Sequence, residues 1–223
     1  IATGSKMHPV GLSQCIEKAA EAINWDTDEP ASAPHKRRGK GLAIMWKAPA
    51  MPPNAGSSAS VRFNEDATIT VSIGGQEIGQ GAFTIAAQMA AGTLGVPYEW
   101  IRIQGPIDTQ FSPYEWQTVA SRLTWSMGNA IVAAAQDARQ QVLELAAEHW
   151  DEDINDLDIQ DGMVISYRSE ESMSLKKMVV YGLPKPDDQG WRGGPIIGHG
   201  KFMPSYVTGL DAETGQGPRS VVH

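Results

Sequence analysis

The chain has 223 residues, 41% of them hydrophobic, enough for one large or two small domains with a real core. Its formal net charge of -8 and pI near 5.1 give a surface that repels nucleic acid and anionic lipid, so polynucleotide binding is set aside. One cysteine, Cys15, leaves no internal disulfide and no all-cysteine iron–sulfur or zinc centre, and no run approaches the roughly 18 apolar residues of a membrane span, so a cytoplasmic setting is expected.

In chain order, Leu12, Ile16, Ala19, Ala20 and Ile23 recur at helical spacing and predict a short amphipathic helix closed by Asn24. Cys15 falls on its apolar face and is expected to be buried. Asp26 to Lys40, with Pro30, Pro34 and the basic group Lys36, Arg37 and Arg38, reads as a solvated connection. Gly41 to Lys47 is an expected strand. Ser60 to Phe63 and Thr68 to Ile73 alternate apolar and polar residues around Asn64-Glu65-Asp66-Ala67, the pattern of a hairpin with one buried face.

Ala82 opens a helix through Ile85, Met89 and Leu94 that ends at Gly95-Val96-Pro97, and Trp100 to Ile103 alternates as a strand. The longest helical pattern runs from about Thr124 to Ala147, with Ile131, Ala134, Ala135, Ala138, Val142 and Leu145 on one stripe. Beyond it come a hairpin turning at Asp161-Gly162, a short helix around Ser174 to Val180, a Pro/Gly-rich stretch, and a last strand within Ile196 to Thr208. Alternating hairpins and helices predict an α+β fold, with two-layer mixed sheets packed by helices on one side. Three units are expected: a helix and linker over 1–38, a core over 39–150, and a second α+β segment over 151–223.

Two loop-to-helix junctions concentrate the chemistry. The first is Gly74-Gly75-Gln76-Glu77-Ile78-Gly79-Gln80-Gly81, and the second runs from Ser112-Pro113-Tyr114-Glu115-Trp116 to Ala120-Ser121-Arg122. Each leads into a helix N-terminus, where unpaired backbone N–H groups and the dipole favour an anion. Two such ends suggest a doubly charged, phosphate-bearing ligand. Gly74, Gly75, Gly79 and Gly81 permit close backbone approach, and Gln80 can offer an amide; Glu77 is expected to turn away toward solvent or a basic partner. Thr118, Ser121 and Thr124 offer hydroxyls, and Arg122 a guanidinium, to an oxyanion. Taken singly, each junction is shared with ordinary glycine turns and Ser/Thr helix caps that hold no ligand. Gly128, inside the long helix, is explained by a close helix or ligand contact, or by simple neutrality. The five histidines are scattered without metal-ligand spacing, so no zinc or iron site is expected, and the tryptophans read as core or interface residues, with Trp116 set apart by its place in the second junction.

Taken together, the order Gly-Gly-Gln-Glu-Ile-Gly-Gln-Gly-Ala-Phe-Thr, Leu94-Gly95-Val96-Pro97, Asp108-Thr109, Ser112-Pro113-Tyr114, and Ala120-Ser121-Arg122-Leu123-Thr124 to Gly128-Asn129-Ala130 resembles the molybdopterin-binding subunit of the xanthine dehydrogenase and aldehyde oxidase family over residues 39 to 147. The resemblance implies that Ile78, Gly79, Gln80 and Gly81 approach the pterin and its phosphate, largely through backbone N–H groups. It implies that Ala120, Ser121, Arg122 and Leu123 hold the cofactor from the other side, and that Val119 and Ala120 shape the substrate pocket. The implied cofactor is molybdopterin with molybdenum, in bacterial members often the cytosine dinucleotide form. The implied reaction is hydroxylation of an N-heteroaromatic ring or an aldehyde with oxygen from water. Iron–sulfur and flavin (FAD) centres are then expected on partner domains or subunits. The family's general-base glutamate lies in a Gly-Glu motif near the C-terminus of the full subunit and has no match before His223, and Glu77, Glu115 and Glu213 lack its context. The chain is therefore expected to be a fragment carrying about half of the cofactor site, inactive in isolation. The other reading is a non-catalytic nucleotide- or diphosphate-binding or interaction module.

Overall fold

The computed structural model describes residues 10–45, 52, 54–185, 190–204 and 211–214. Its main sheet joins β1 (Ser57–Phe63), β2 (Ile69–Ile73), β3 (Ile101–Ile103) and β9 (Ile197–Phe202) in the order β3-β2-β1-β9, with β2 and β3 parallel and the other pairs antiparallel. Strict alternation sends Ala59, Val61, Phe63, Ile69, Val71 and Ile73 to one face, where they are buried. Two helices cover that face: α2 (Ala82–Leu94) and α3 (Leu123–Trp150). Ser58, Ser60, Arg62, Thr70, Ser72, His199 and Lys201 alternate to the opposite side. The α+β arrangement expected from the sequence, with helices on one side of the sheet, is the one observed.

The long helix lies close to its sheet because both surfaces are small. Ala130, Ala134 and Ala138 are fully buried and face β9, and a Cβ on Gly198 or Gly200 would run into the α3 backbone at Ala134 or Ala130. Helix α2 crosses α3 where Met89 fills the space over Gly128, the helix contact that the mid-helix glycine suggested; a Cβ on Gly128 would lie 2.6 Å from Met89 Cε. Gly95 ends α2 in the left-handed region at φ 73°, its N–H returning to Ala91 O at 3.0 Å.

A second sheet, β4 (Leu157–Gln160), β5 (Met163–Ser166) and β6 (Ser172–Ser174), adds Leu157, Ile159 and Val164 to the same core. A helical turn with π-type bonding at Lys177–Tyr181 follows, and then the short pair β7 (Leu183–Pro184) and β8 (Trp191–Arg192). The core is continuous from Ala59 to Ile196, and β9 completes the sheet begun by β1, so the unit expected over 39–150 shares its sheet with a strand from the segment expected over 151–223.

The structure corrects two of the expected secondary-structure features. Helix α1 (Leu12–Ala22) buries no residue and Cys15 is exposed, because nothing among the described residues covers its apolar stripe. Gly41 to Met45 form no strand, having no ladder partner, while Trp46 and Lys47 lie outside the described residues, as does the end of the expected last strand beyond Pro204.

Candidate cofactor site

Both junctions lie at one end of the main sheet, because β2 ends at Ile73 where β1 begins at Ser57. The first junction leaves β2 and turns into α2. The second comes alongside the start of β1: Ser57 bridges to Glu115, Ser58 N donates to Tyr114 O at 2.7 Å, and Trp116 N donates to Gly56 O at 3.2 Å. The two are pressed together at Gly74 and Gly75. A Cβ on Gly74 would strike Pro113 O, and one on Gly75 would come within 2.7 Å of Leu123 Cδ1 and Met127 Sδ. The Gln76 N–H then donates to Thr118 Oγ1 at 2.9 Å, joining one loop directly to the other. A groove of about 860 Å³ lies at the opposite end of the sheet, between the β1–β2 turn and residues 179–182 and 191–195, and no junction residue lines it.

The first junction supplies its own anion. Glu77 folds back so that Oε1 accepts from Gly79 N at 2.8 Å and Gly81 N at 3.0 Å, while Oε2 accepts from Phe83 N at 3.2 Å. The amide donors of the α2 N-terminus are thus met by a carboxylate, foremost by the Phe83 N–H and then the Gly81 N–H, which hold the Glu77 carboxyl below its ordinary value. Glu77 therefore does not turn away to solvent as the sequence suggested. Gln80 is engaged as well: its Oε1 accepts from Ile78 N at 2.7 Å and its Nε2 donates to Gln76 O at 2.9 Å. Ile78, Gly79 and Gln80 form an exposed loop, with Ile78 74% accessible and no atom within 4 Å of the position a Cβ would take on Gly79 or Gly81.

The second junction keeps donors in reserve. Ala120 and Ser121 both lie in the left-handed region, at φ 52° and 58°, a conformation costing about 1–2 kcal/mol for each non-glycine residue. Among the described residues their backbone N–H groups meet no protein acceptor, whereas the Arg122 N–H closes the turn on Val119 O at 3.1 Å. Consecutive amides in such a turn, set before the N-terminus of α3, are available to an oxyanion. No side chain caps α3, so the Ser/Thr-cap reading of this junction does not describe it.

Arg122 differs most from its sequence reading. Its side chain is fully buried, paired with Glu115 and hydrogen-bonded to Gln117 O, Ala55 O, Gly56 O, Ser57 Oγ and Ser126 Oγ, with Trp116 stacked 5.7 Å from the guanidinium carbon. The guanidinium offered to an oxyanion from sequence alone is committed to protein groups. Leu123 likewise buries its side chain against Gly75, and Val119 and Ala120 are half-buried at the lip of the turn. Sequence reasoning missed Ala55, Gly56, Ser57, Glu115 and Ser126 as partners of Arg122. Only the Arg122–Ser126 spacing of four residues at a helix start carried a local signal.

These residues fit a phosphate-bearing group. The Ala120–Ser121 turn offers amides that meet no acceptor among the described residues, and open space lies above Gly79 and Gly81 on the facing loop. Comparison with known proteins agrees with that chemistry. Residues 18–222 match the molybdopterin cofactor-binding domain family. The chain is 31% identical over 201 residues to the xanthine dehydrogenase molybdenum-binding subunit of Escherichia coli O157:H7, covering 87% of this chain and 26% of that protein. It is 29% identical over 127 residues to the nicotine 6-hydroxylase large subunit of Paenarthrobacter nicotinovorans, covering 56% of this chain and 15% of that protein. Among solved structures, quinoline 2-oxidoreductase from Pseudomonas putida 86 superposes with a TM-score of 0.56 at 28% identity, over 67% of this chain and 19% of that one. The Cu,Mo-CO dehydrogenase superposes with a TM-score of 0.61 at 22% identity, over 72% of this chain and 21% of that one, which shows a shared fold. The chain spans about a quarter of the length of the xanthine dehydrogenase subunit that it matches. With its two junctions converging on one site and the family match running through both, the chain belongs to the molybdopterin cofactor-binding domain family.

Proposed function

We propose that this chain is the part of a molybdenum hydroxylase's large subunit that receives the phosphate and pterin of the molybdenum cofactor between its two junctions. The observation that carries the proposal is the convergence of a self-satisfied loop, Gln76 to Gly81, with the Ala120–Ser121 turn, whose amides meet no acceptor among the described residues. The Ala120 and Ser121 N–H groups would hold the anionic end, with the positive end of α3 behind them. Ile78, Gly79, Gln80 and Gly81 would line the pterin from the facing loop. Leu123 would serve through the backbone, Arg122 by holding the turn that its N–H closes on Val119 O, and Val119 and Ala120 would border the substrate. When bound, the cofactor supplies hydroxylation of an electron-poor carbon, in an N-heteroaromatic ring or an aldehyde, with oxygen from water.

The remaining finer features follow from the same reading. A pterin bearing cytosine diphosphate would spread its negative charge over two phosphoryl groups, where the form without a nucleotide has a single phosphate. Iron–sulfur and FAD partners would carry electrons away, since one exposed cysteine cannot ligate a cluster. Among the described residues no helix is long and apolar enough to cross a membrane, and a cytoplasmic complex is the setting we propose.

The test is metal and cofactor analysis of the complete complex captured through this chain. Molybdenum and a pterin dinucleotide in equal amounts, both reduced by Gln80→Ala and by Ser121→Pro, support the reading. A complex holding neither, or variants that retain both, overturns it in favour of a non-catalytic binding module.

A further inference from the structure

The polar cluster behind the second junction is built around one side chain. Arg122 has no exposed surface, and its two terminal nitrogens divide their work. Nη1 serves the loop, binding Glu115 and donating to Gln117 O at 2.6 Å. Nη2 serves the neighbours, donating to Ala55 O at 2.9 Å, Ser57 Oγ at 3.2 Å and Ser126 Oγ at 2.7 Å. Ser57 and Ser126 also bond each other at 2.8 Å. The cluster thus ties the entry to β1, the 115–117 segment and the first turn of α3 at one point. Between its two anchorage points on the chain, Gln117 and Arg122, lies only the turn of Thr118 to Ser121, where Ala120 and Ser121 hold their left-handed conformations. Among the described residues, the buried atoms Glu115 Oε2 and Arg122 Nε find no hydrogen-bond partner, an expensive arrangement for groups whose only task is packing.

We infer that Glu115 and Arg122 are a positioning pair that acts on the cofactor through the Thr118–Ser121 turn, and that Arg122 makes no direct contact with the cofactor's anion. This rests on the cofactor site proposed above. Two consequences separate the inference from a direct Arg122–phosphate contact. Removing Glu115 would strengthen a directly bound anion by deleting a nearby negative charge, whereas it would weaken an anion held by a turn that Glu115 helps to set. A clamp also fails as a unit, so losing both members costs little more than losing one.

The experiment uses the complete subunit with its partner subunits, produced in a host that makes the cofactor. Glu115→Leu, Arg122→Met, the double variant and Arg122→Lys are compared for retained molybdenum and pterin, for the rate of cofactor loss on dilution, and for amide exchange over residues 117–123. Each single variant is expected to speed cofactor loss at least tenfold, and the double variant to add less than twofold. Lys, a single ammonium that cannot span both sets of acceptors, is expected not to rescue. Exchange rises over 117–123 while the interior of α2 stays protected. If Glu115→Leu is too unstable to assemble, Ser57→Ala and Ser126→Ala, which each remove one Nη2 acceptor, are expected to speed loss twofold to tenfold with the same local exchange signature.

Retention or gain of cofactor in Glu115→Leu beside loss in Arg122→Met overturns the inference. So does an Ile131→Val control that loses as much cofactor at the same melting temperature, since that would reduce the pair to general stability. If the wild-type complex holds no molybdenum or pterin, the cofactor reading fails, while the exchange measurement still decides whether the pair sets the turn.

Discussion

The backbone N–H of Gln76 donates to Thr118 Oγ1 at 2.9 Å, so one hydroxyl holds the loop that follows β2 against the turn that precedes α3. Thr118→Val keeps the shape and removes the acceptor. Its expected cost is about 0.5–1.5 kcal/mol of stability, with a larger effect on cofactor retention, and Thr118→Ser is expected to restore both. Thermal melting beside cofactor content checks this, and equal retention in the Val variant would show that the two loops hold their places without this bond.

Glu77 gives the fold an acid-sensitive point. Its carboxyl is held below the ordinary glutamate value of 4.5 by the N–H groups of Phe83, Gly81 and Gly79, so its contribution is complete above that value and lost as pH falls through the lower folded value. Asp66 adds to the same trend, its carboxyl lowered by the Thr68 hydroxyl and N–H. Glu77→Gln is expected to lower the melting temperature at pH 7 and to flatten its fall with acid, and the difference from wild type should close once the pH lies below the lowered folded value of Glu77. A constant difference across the titration would place the effect in shape and not in charge.

Gly75→Ala tests the contact between the junctions. The added methyl would lie 2.7 Å from both Leu123 Cδ1 and Met127 Sδ, and forcing those side chains aside is expected to cost about 1–3 kcal/mol in chemical denaturation. Little change in the midpoint would mean that the loop relaxes away from α3.

Gly198→Ala is expected to be harsher, because the new methyl would meet α3 backbone at Ala134 O and Ala138 N, which cannot rotate away as a side chain can. A loss of about 3 kcal/mol or more, or insoluble expression, is the expected outcome. A well-folded variant with wild-type stability would contradict the close packing of β9 on α3.

The regular elements were readable because their signals are local. Alternation marked β1 and β2, the alanine-rich stripe marked α3, and Gly95 and Gly162 marked a helix end and a hairpin turn that the structure contains. The two junctions could be located for the same reason. What each side chain does there could not be read so directly. Arg122 looks like an anion ligand until its acceptors arrive from Ala55, Gly56 and Ser57, more than sixty positions earlier in the chain, and Glu77 looks surplus until the loop curls it onto the helix that follows. The exposure of Cys15 was hidden likewise, since an apolar stripe reports a wish for burial and not the presence of a cover.

The position of β9 also orders events during synthesis. A ribosome delivers β1, both junctions and the whole of α3 before it delivers Gly198 and Gly200, and until then the alanine ridge of α3 has no β9 beneath it and β1 lacks its outer neighbour. The acceptors that Arg122 needs at the mouth of β1 gain their final support only when that last strand docks. Such distant pairings form slowly and leave apolar surface open meanwhile, so the stage before β9 docks is the one in which the nascent chain is most exposed to aggregation.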